Sequence, residues 1–402
     1  MGQNMKPHKF FTLLLLFTIL GFGITKAQTQ YRDVTSTHLP SAPDLHALGS
    51  EFVDVDKDGD LDIALAVEYG ANRLYINDGQ GHFSWKEGAF GQASHDTEHV
   101  VGTDFNQDGH VDFIFIAEDD QTHQLFFGNS DGNFSDESDR IPAMSEGNAL
   151  AVGDLNGDNL PDIVVGNTGE KNQNFLWLNN PDQPGRFMDV TRDRLPQVQD
   201  NTQGIALADI DKDGHPDMVL GNETPPNTLY LNDGSGHFSD HSDRLDLVTP
   251  LETREVHVRD FTGNGHLDIL FFNLTSNNSG WDKNPRVRLL VNDGQGHFND
   301  ETSDRLPYNA FSVYAGIPVD LNRDGSLDIL LGPIQIPGFV PLQVRAYIND
   351  GSGYFRDETE DYIPEDTVGR GWGFEIGDLN GDGKNDILIG GWGTQARLLL
   401  AN

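Results

Sequence analysis

The chain has no cysteine among its 402 residues, which excludes disulfide bonds, thiolate metal sites, cysteine nucleophiles and a lipidated cysteine. Basic residues are scarce as well, since Lys and Arg total 26 against 64 Asp and Glu and the formal net charge is -38. This charge argues against nucleic acid or an anionic membrane surface as a partner. No segment has a convincing helical period, and beyond residue 27 no apolar run approaches the length of a membrane span.

The long apolar run lies close to the N-terminus. Lys6 and Lys9 precede the run at 10–24, and Thr25, Lys26 and Ala27 form a plausible cleavage site. This order is typical of a secretory signal, and the run is too short to span a bilayer comfortably. We therefore expect a signal peptide at 1–27 and a mature chain, 28–402, that is secreted, periplasmic or at the cell surface. An uncleaved anchor is the alternative.

One acidic nonapeptide recurs seven times, at intervals of 50 to 60 residues. We call these segments the acidic loops; they lie at 54–62, 104–112, 154–162, 209–217, 260–268, 320–328 and 378–386. Asp-Gly turns such as 77–83 alternate with them, and the two elements frame four short apolar or β-branched segments per repeat, as at 148–153, 162–167 and 73–77. Four antiparallel strands per period of this length are typical of a β-propeller blade. The sequence predicts an all-β, seven-bladed β-propeller.

The two ends of the chain complement each other. The last repeat reaches RLLLAN (397–402), which aligns with RLYIN (73–77), the third strand of the first repeat. The segment YRDVTSTHLP (31–40) matches the missing fourth strand, with Tyr31 where other repeats have Phe. We therefore expect the N-terminal strand to complete the last blade and close the ring.

The acidic loops have the composition of calcium sites. Loop positions 1, 3 and 5 carry Asp, Asn or occasionally Thr, and position 9 is always Asp. Side chains on alternate residues of a tight loop can converge on one hard cation, with the position 7 carbonyl as a further ligand. Position 6 is Gly in six copies and Asn159 in the third, as a left-handed turn requires. The structural alternative is a polar turn whose side chains bond its own backbone.

We expect calcium in six or seven of these loops, locking the ring. The fifth loop is expected to be the weakest, since Thr262 and Asn264 replace acids there. The predicted ligands are Asp54, Asp56, Asp58, Asp60 and Asp62; Asp104, Asn106, Asp108, His110 and Asp112; Asp154, Asn156, Asp158, Leu160 and Asp162; Asp209, Asp211, Asp213, His215 and Asp217; Asp260 and Asp268; Asp320, Asn322, Asp324, Ser326 and Asp328; and Asp378, Asn380, Asp382, Lys384 and Asp386.

With loops of the form D-x-[DN]-x-D-G-x-x-D before apolar strands, residues 30–402 resemble the FG-GAP or VCBS repeats of integrin α-subunit propellers and of many secreted bacterial proteins. The resemblance implies the propeller fold and calcium binding, but one fold hosts many functions. The sequence departs from the integrin pattern because calcium-type loops occur in all seven repeats. Integrin-like heterodimerisation is therefore not expected, and we predict a monomer.

The face opposite the acidic loops is expected to bind the ligand, because its residues differ between repeats. Six residues before each loop stand Leu48, Glu98, Asn148, Gln203, Arg254, Tyr314 and Trp372, and longer connections add Trp281 and Trp392. Aromatic rings with amide and charged groups suit a sugar or a peptide. The alternative is that these are ordinary packing residues. We predict a non-catalytic recognition or adhesion module for a glycan or an extracellular protein.

A polysaccharide lyase is the alternative function, since similar calcium-bearing propellers occur among such enzymes. Eliminative cleavage of a uronate needs a Tyr or His base and a cation that neutralises the acid. Candidates are His99, Arg254, His257 and Tyr314. The strong negative charge weighs against an acidic polysaccharide as substrate.

Overall fold

The structure is a computed structural model that describes residues 29–169, 173–224, 226–247, 251–275, 286–308, 311–335, 340–369 and 371–402. The predicted signal peptide and Trp281 lie outside these ranges. No helix in the described ranges has the length and apolar character needed to cross a membrane.

Each acidic loop joins the first and second strands of a four-stranded unit, and we number the units 1 to 7 by their loops. The first strands are β2 (His46–Val53), β6 (His95–Thr103), β10 (Gly147–Gly153), β14 (Thr202–Ala208), β18 (Thr253–Arg259), β22 (Ser312–Val319) and β27 (Phe374–Gly377). The second strands are β3 (Asp62–Gly70), β7 (Asp112–Ala117), β11 (Asp162–Asn167), β15 (Asp217–Asn222), β19 (Asp268–Asn273), β23 (Asp328–Gln335) and β28 (Asp386–Ile389).

Asp-Gly turns or their equivalents join the third strands to the fourth. The third strands are β4 (Arg73–Asn77), β8 (Gln124–Gly128), β12 (Phe175–Asn179), β16 (Thr228–Asn232), β20 (Arg288–Asn292), β25 (Arg345–Asn349) and β30 (Arg397–Ala401). The fourth strands are β5 (Phe83–Trp85), β9 (Phe134–Asp136), β13 (Phe187–Asp189), β17 (Phe238–Asp240), β21 (Phe298–Asp300), β26 (Phe355–Asp357) and, in unit 7, β1 (Tyr31–Asp33). Two short strands, β24 (Val340–Pro341) and β29 (Gly391–Trp392), lie in connections.

Short helices follow the fourth strands, which the sequence reasoning missed. They are α1 (Thr35–His38), α2 (Thr191–Arg194), α3 (Thr302–Arg305), α4 (Thr359–Tyr362) and the 3₁₀ turns Ser138–Arg140 and Ser242–Arg244. The first residue of each is Thr or Ser, and its hydroxyl accepts the backbone N–H of a third-strand residue, as Thr191 Oγ1 does from Leu176 at 2.9 Å. A single turn of three or four residues is too short to leave a helical period in the sequence.

The strands form six antiparallel sheets, four of which have four strands each. Unit 6 forms a five-stranded sheet with β24. A nine-stranded sheet combines the eight strands of units 1 and 2 with β29, which pairs with β2. The two units join because β3 continues beyond the usual length and pairs with β6 through Glu68 and Asp96. The all-β fold of repeated four-stranded sheets agrees with the sequence prediction and is consistent with a β-propeller.

The core of the described residues is divided among seven apolar clusters, each between two neighbouring units. The second strands explain this division, since Ile63 packs towards unit 7 whereas Ala64 packs towards unit 2. Both faces of the second strands are therefore buried, which accounts for their continuous apolar runs. The first strands lie side by side, and β27 also contacts β2.

Candidate functional site

The backbone of every acidic loop is left-handed at two positions. Position 6 has a positive φ in all seven loops, from 66° at Asn159 to 98° at Gly59. Position 4 also has a positive φ in every loop, although Lys57, Gln107, Lys212 and Arg323 occupy it in four of them. These side chains carry the steric cost of the left-handed region. Sequence reasoning missed position 4; the signal was Gly at that position in the other three loops.

The aspartate at position 1 accepts hydrogen bonds from the far side of its own loop. In the second loop, Asp104 Oδ1 accepts the Asp108 N–H at 3.1 Å and Asp104 Oδ2 accepts the Gly109 N–H at 2.7 Å. The position 5 carboxylate in turn accepts the position 7 N–H, at 2.8 Å from His110. These bonds are those of Asx turns, so the loop has a defined shape from its own hydrogen bonds.

The aspartate at position 9 connects the loop to the sheet. Asp162 is fully buried; its Oδ2 accepts the Leu155 N–H within the loop at 3.0 Å, and its Oδ1 accepts the Asn179 N–H of β12 at 2.8 Å. Burial raises the pKa of Asp112 and Asp162 to about 7, and that of Asp62, Asp217, Asp328 and Asp386 to about 6. The ionised form is therefore disfavoured unless a positive charge lies nearby.

The first and fourth loops bring the most acid oxygens together. One carboxylate oxygen from each of Asp54, Asp56 and Asp58 lies within 4.8 Å of the others, and the same holds for Asp209, Asp211 and Asp217. Two ligands on opposite sides of a Ca²⁺ ion are at most about 5 Å apart, because Ca–O bonds measure about 2.3–2.6 Å. The residues present therefore fit a divalent cation.

The fifth loop offers fewer acid oxygens. Thr262 donates its hydroxyl proton to Asp268 Oδ2 at 3.1 Å, and Asn264 stands where most loops have Asp.

Neighbouring acidic loops are also tied together. The position 4 cation of one loop donates to the position 6 carbonyl of the next loop, as Lys57 does to Gly109, Lys212 to Gly265 at 2.7 Å and Arg323 to Gly383 at 3.4 Å. The strained position 4 residue therefore reaches across the boundary between units.

The seven residues that stand six places before each loop line one cavity of about 440 Å³ between the first strands. Six of them lie at irregularities in the pairing of first and second strands, where the register shifts: Leu48, Glu98, Asn148, Gln203, Arg254 and Tyr314. A β-bulge leaves its extra residue unpaired and re-aims its side chain. Sequence alignment located these residues, and the bulges explain why they point into the cavity.

We call the end of this cavity at which Trp372, Trp392, Arg254 and Glu223 lie the mouth. It has an aromatic side and a charged side. The Trp372 ring lies 3.9 Å from the Tyr314 ring and 5.4 Å from the Trp392 ring, centroid to centroid. Arg254 lies 3.4 Å from Glu252 and 3.5 Å from Glu223, and Gln203 donates to Glu223 at 3.1 Å.

A group of acids lies beside the mouth, and the sequence reasoning named only Glu98 among them. Glu68 and Asp96 lie opposite each other on β3 and β6, Glu98 follows on β6, and Glu118 and Asp119 come directly after β7. We call these five residues the mouth acids. Burial, followed by the charges of the other acids, raises the pKa of Glu98 well above its ordinary value. Glu98 stands six places before the second loop, and Glu68 and Glu118 stand six places after the first and second loops. The sequence therefore places three of the acids at repeated positions but does not show that they meet.

The four candidate lyase residues all line the cavity, and burial shifts the pKa of Tyr314 and of His99. Burial raises the pKa of Tyr314, so the phenol stays neutral and cannot act as a base. Burial also lowers the pKa of His99, whereas His257 is held by Glu255 at 3.0 Å and by the Gly316 carbonyl at 2.9 Å.

A sequence model described as an FG-GAP-like repeat matches residues 54–115, 104–165, 154–220, 209–271 and 340–389. The chain is also similar to cartilage acidic protein 1 of Homo sapiens, with 24% identity over 94% of this chain and 62% of the relative. Cartilage acidic protein 1 of Xenopus tropicalis is 24% identical over 91% of this chain and 61% of its own length. The chain thus spans about three fifths of these relatives.

Proposed function

Since the chain belongs to the FG-GAP-like repeat family, we propose that it is a secreted, calcium-binding, seven-bladed β-propeller that recognises a glycan or protein ligand without catalysis. The single observation that carries the recognition role is the cavity lined at seven equivalent positions by seven different residues. A structural repeat alone would favour similar residues at equivalent positions, whereas a binding surface needs different ones.

Two contacts between unit 7 and unit 1, and one strand pairing within unit 7, support a closed ring. An apolar cluster joins Leu388 and Leu398 to Ile63 and Leu65. Asn77 donates to the Leu379 carbonyl in the seventh loop at 2.9 Å, as Asn232 donates to Leu155 between units 4 and 3. The strand β1 also pairs with β30, so the sheet of unit 7 uses both ends of the described chain.

Calcium in the acidic loops is supported by the oxygen geometry and by charge. Three carboxylates converge in the first loop and three in the fourth, and their mutual repulsion would oppose folding without a cation. Calcium suits such sites better than magnesium, since it accepts many carboxylates in flexible geometry. Because each loop is bonded to its sheet through the position 9 aspartate, we propose that the ions stabilise the units.

The mouth chemistry supports a polar ligand with a flat apolar surface. The rings of Trp372 and Trp392 form the aromatic side, and Asn148, Gln203 and Arg254 line the cavity with side-chain N–H groups. A sugar ring or an aromatic side chain combines these properties. The name of the relatives refers to cartilage, which supports a role outside the cell.

A glycan and extracellular-matrix protein array tests this proposal with the calcium-loaded full chain. We expect a bound class that is lost in Trp372→Ala and retained in Tyr308→Ala, whose ring is 77% exposed and is absent from the cavity lining. Binding unaffected by Trp372→Ala would contradict recognition at the mouth. Uronate polysaccharides incubated in parallel should give no unsaturated product; its appearance would favour the lyase alternative.

A further inference from the structure

We propose that the mouth acids Glu68, Asp96, Glu98, Glu118 and Asp119 form a divalent cation site of the calcium type, separate from the acidic loops. The inference does not depend on the recognition role proposed above. It concerns the opposite end of the first strands, where no repeated motif occurs.

The first observation is the spacing of the oxygens. One carboxylate oxygen from each of Glu68, Asp96 and Glu98 lies within 4.8 Å of the others, and the same holds for Asp96, Glu118 and Asp119. Asp96 is common to both groups. These distances fit oxygens that share one ion with Ca–O bonds of about 2.3–2.6 Å.

The second observation is an unsatisfied buried oxygen. Asp96 is 4% exposed; its Oδ2 accepts the Asp119 N–H at 2.9 Å, whereas its buried Oδ1 has no hydrogen-bond partner in the described structure. A buried carboxylate oxygen without a partner costs the full desolvation penalty of the group. A cation bound among the acids supplies the missing interaction.

The third observation is the strand pairing. Among the described units, β3 and β6 are second and first strands of neighbouring units that join into one sheet, and this pairing places Glu68 directly opposite Asp96. Like charges in directly opposite positions destabilise a strand pair. The next residue, Tyr69, has a φ of 57°, a strained value for an aromatic residue. A bridging cation converts this repulsion into attraction.

Surrounding groups hold the acids in position without neutralising them. Thr168 donates to Glu118 at 2.6 Å, and Trp392 donates its indole N–H to Glu68. Among the described residues, His46 contacts Glu68 at 3.1 Å and Arg254 acts on Glu98, but Arg254 also pairs with Glu223 and Glu252. A net negative charge therefore remains at the mouth.

Equilibrium dialysis of the full chain against about 5 mM Ca²⁺, above the weakest range of extracellular calcium sites, tests the proposal. The double variant Asp96→Asn with Glu98→Gln should bind one calcium fewer per chain than the unmodified protein. Asp44→Asn, which removes an exposed acid on the same face, should bind the full number. Far-ultraviolet circular dichroism verifies the fold, and Glu118→Gln serves as a second variant if the double variant unfolds.

Two further measurements locate the ion. Bound Tb³⁺ next to Trp392 should show tryptophan-sensitised emission that Trp392→Phe reduces, with Trp372 as the remaining nearby donor. Thr168→Val removes the hydrogen bond that positions Glu118. It should lower the affinity for Tb³⁺, measured from this emission, by about tenfold. A full calcium count in the double variant, with no loss in Glu118→Gln, would overturn the mouth site. Loss of a calcium ion in Asp54→Asn under the same conditions would still support calcium binding by the acidic loops.

Discussion

Replacing Asp162 by Asn separates two roles of the position 9 aspartate. The buried carboxylate accepts two backbone N–H groups, from Leu155 and Asn179. An amide has one oxygen, so one of these buried N–H groups loses its acceptor and faces an NH₂ group instead. An unsatisfied buried donor costs about 1–3 kcal/mol. We expect this loss of unfolding free energy in EDTA, where calcium makes no contribution.

Calcium should enlarge the loss. If the third loop binds Ca²⁺ and the variant does not, an ion concentration of about one hundred times Kd adds roughly 2.7 kcal/mol. Asp268→Asn is the control in the loop expected to bind calcium least, because Asp268 accepts the equivalent N–H groups of Phe261 at 3.1 Å and Asn292 at 3.0 Å. Asp268 also accepts hydrogen bonds from Thr262, so the comparison is made between the two calcium conditions for each variant. Asp268→Asn should therefore lose a similar amount with and without calcium.

Guanidinium unfolding of both variants, in EDTA and in calcium, measures these differences. Equal losses for both variants in both conditions would refute calcium binding at the third loop. A loss below about 0.5 kcal/mol for Asp162→Asn in EDTA would refute the hydrogen-bond reasoning, since such a value is typical of an ordinary surface substitution.

Two further predictions concern the cavity wall. Burial and, to a smaller extent, the charge of Glu51 raise the pKa of Glu375 from 4.5 to about 8. The contribution of Glu375 to folding stability is therefore complete below pH 4.5 and is lost as the pH rises through 8. Glu375→Gln should therefore gain stability relative to the unmodified protein across this window, by about 1–3 kcal/mol after screening by cavity solvent; a pH-independent difference in melting would contradict this. Gly204→Ala should destabilise by about 1–3 kcal/mol, because a Cβ there would lie 2.9 Å from the Glu255 Cα of the adjacent strand. Gly369→Ala is the control, because its backbone is not left-handed and a Cβ there would lie no closer than 3.8 Å to its neighbours. An equal loss of stability in both variants would contradict the steric argument.

Much of the fold can be predicted from the sequence because the same pattern occurs seven times and each copy supports the interpretation of the others. The predicted strands at 73–77 and 162–167 coincide with β4 and β11, and the six fourth strands other than β1 begin at a Phe. Tyr31 was placed by the same alignment, and it pairs with Ala401. Local patterns of this kind are visible because each repeat makes the same contacts.

Features that occur once could not be predicted. The pairing of Glu68 with Asp96 depends on how two neighbouring sheets approach each other, which no local pattern records. The bulge that turns Glu98 into the cavity is likewise a property of the strand pair and not of β6 alone. At the mouth, the sequence therefore identified the residues that differ between repeats. It did not identify the acids whose side chains lie close together there.

The pairing of β1 with β30 has a consequence for synthesis of the chain. Tyr31–Asp33 leaves the ribosome long before its hydrogen-bonding partner, Arg397–Ala401. During elongation β1 has no partner. Tyr31 in this strand and Val34 directly after it are buried in the folded protein but remain exposed at this stage. A chain truncated before residue 397 would keep this strand unpaired, so recognition of incomplete products by chaperones or proteases can act on the very first segment of the domain.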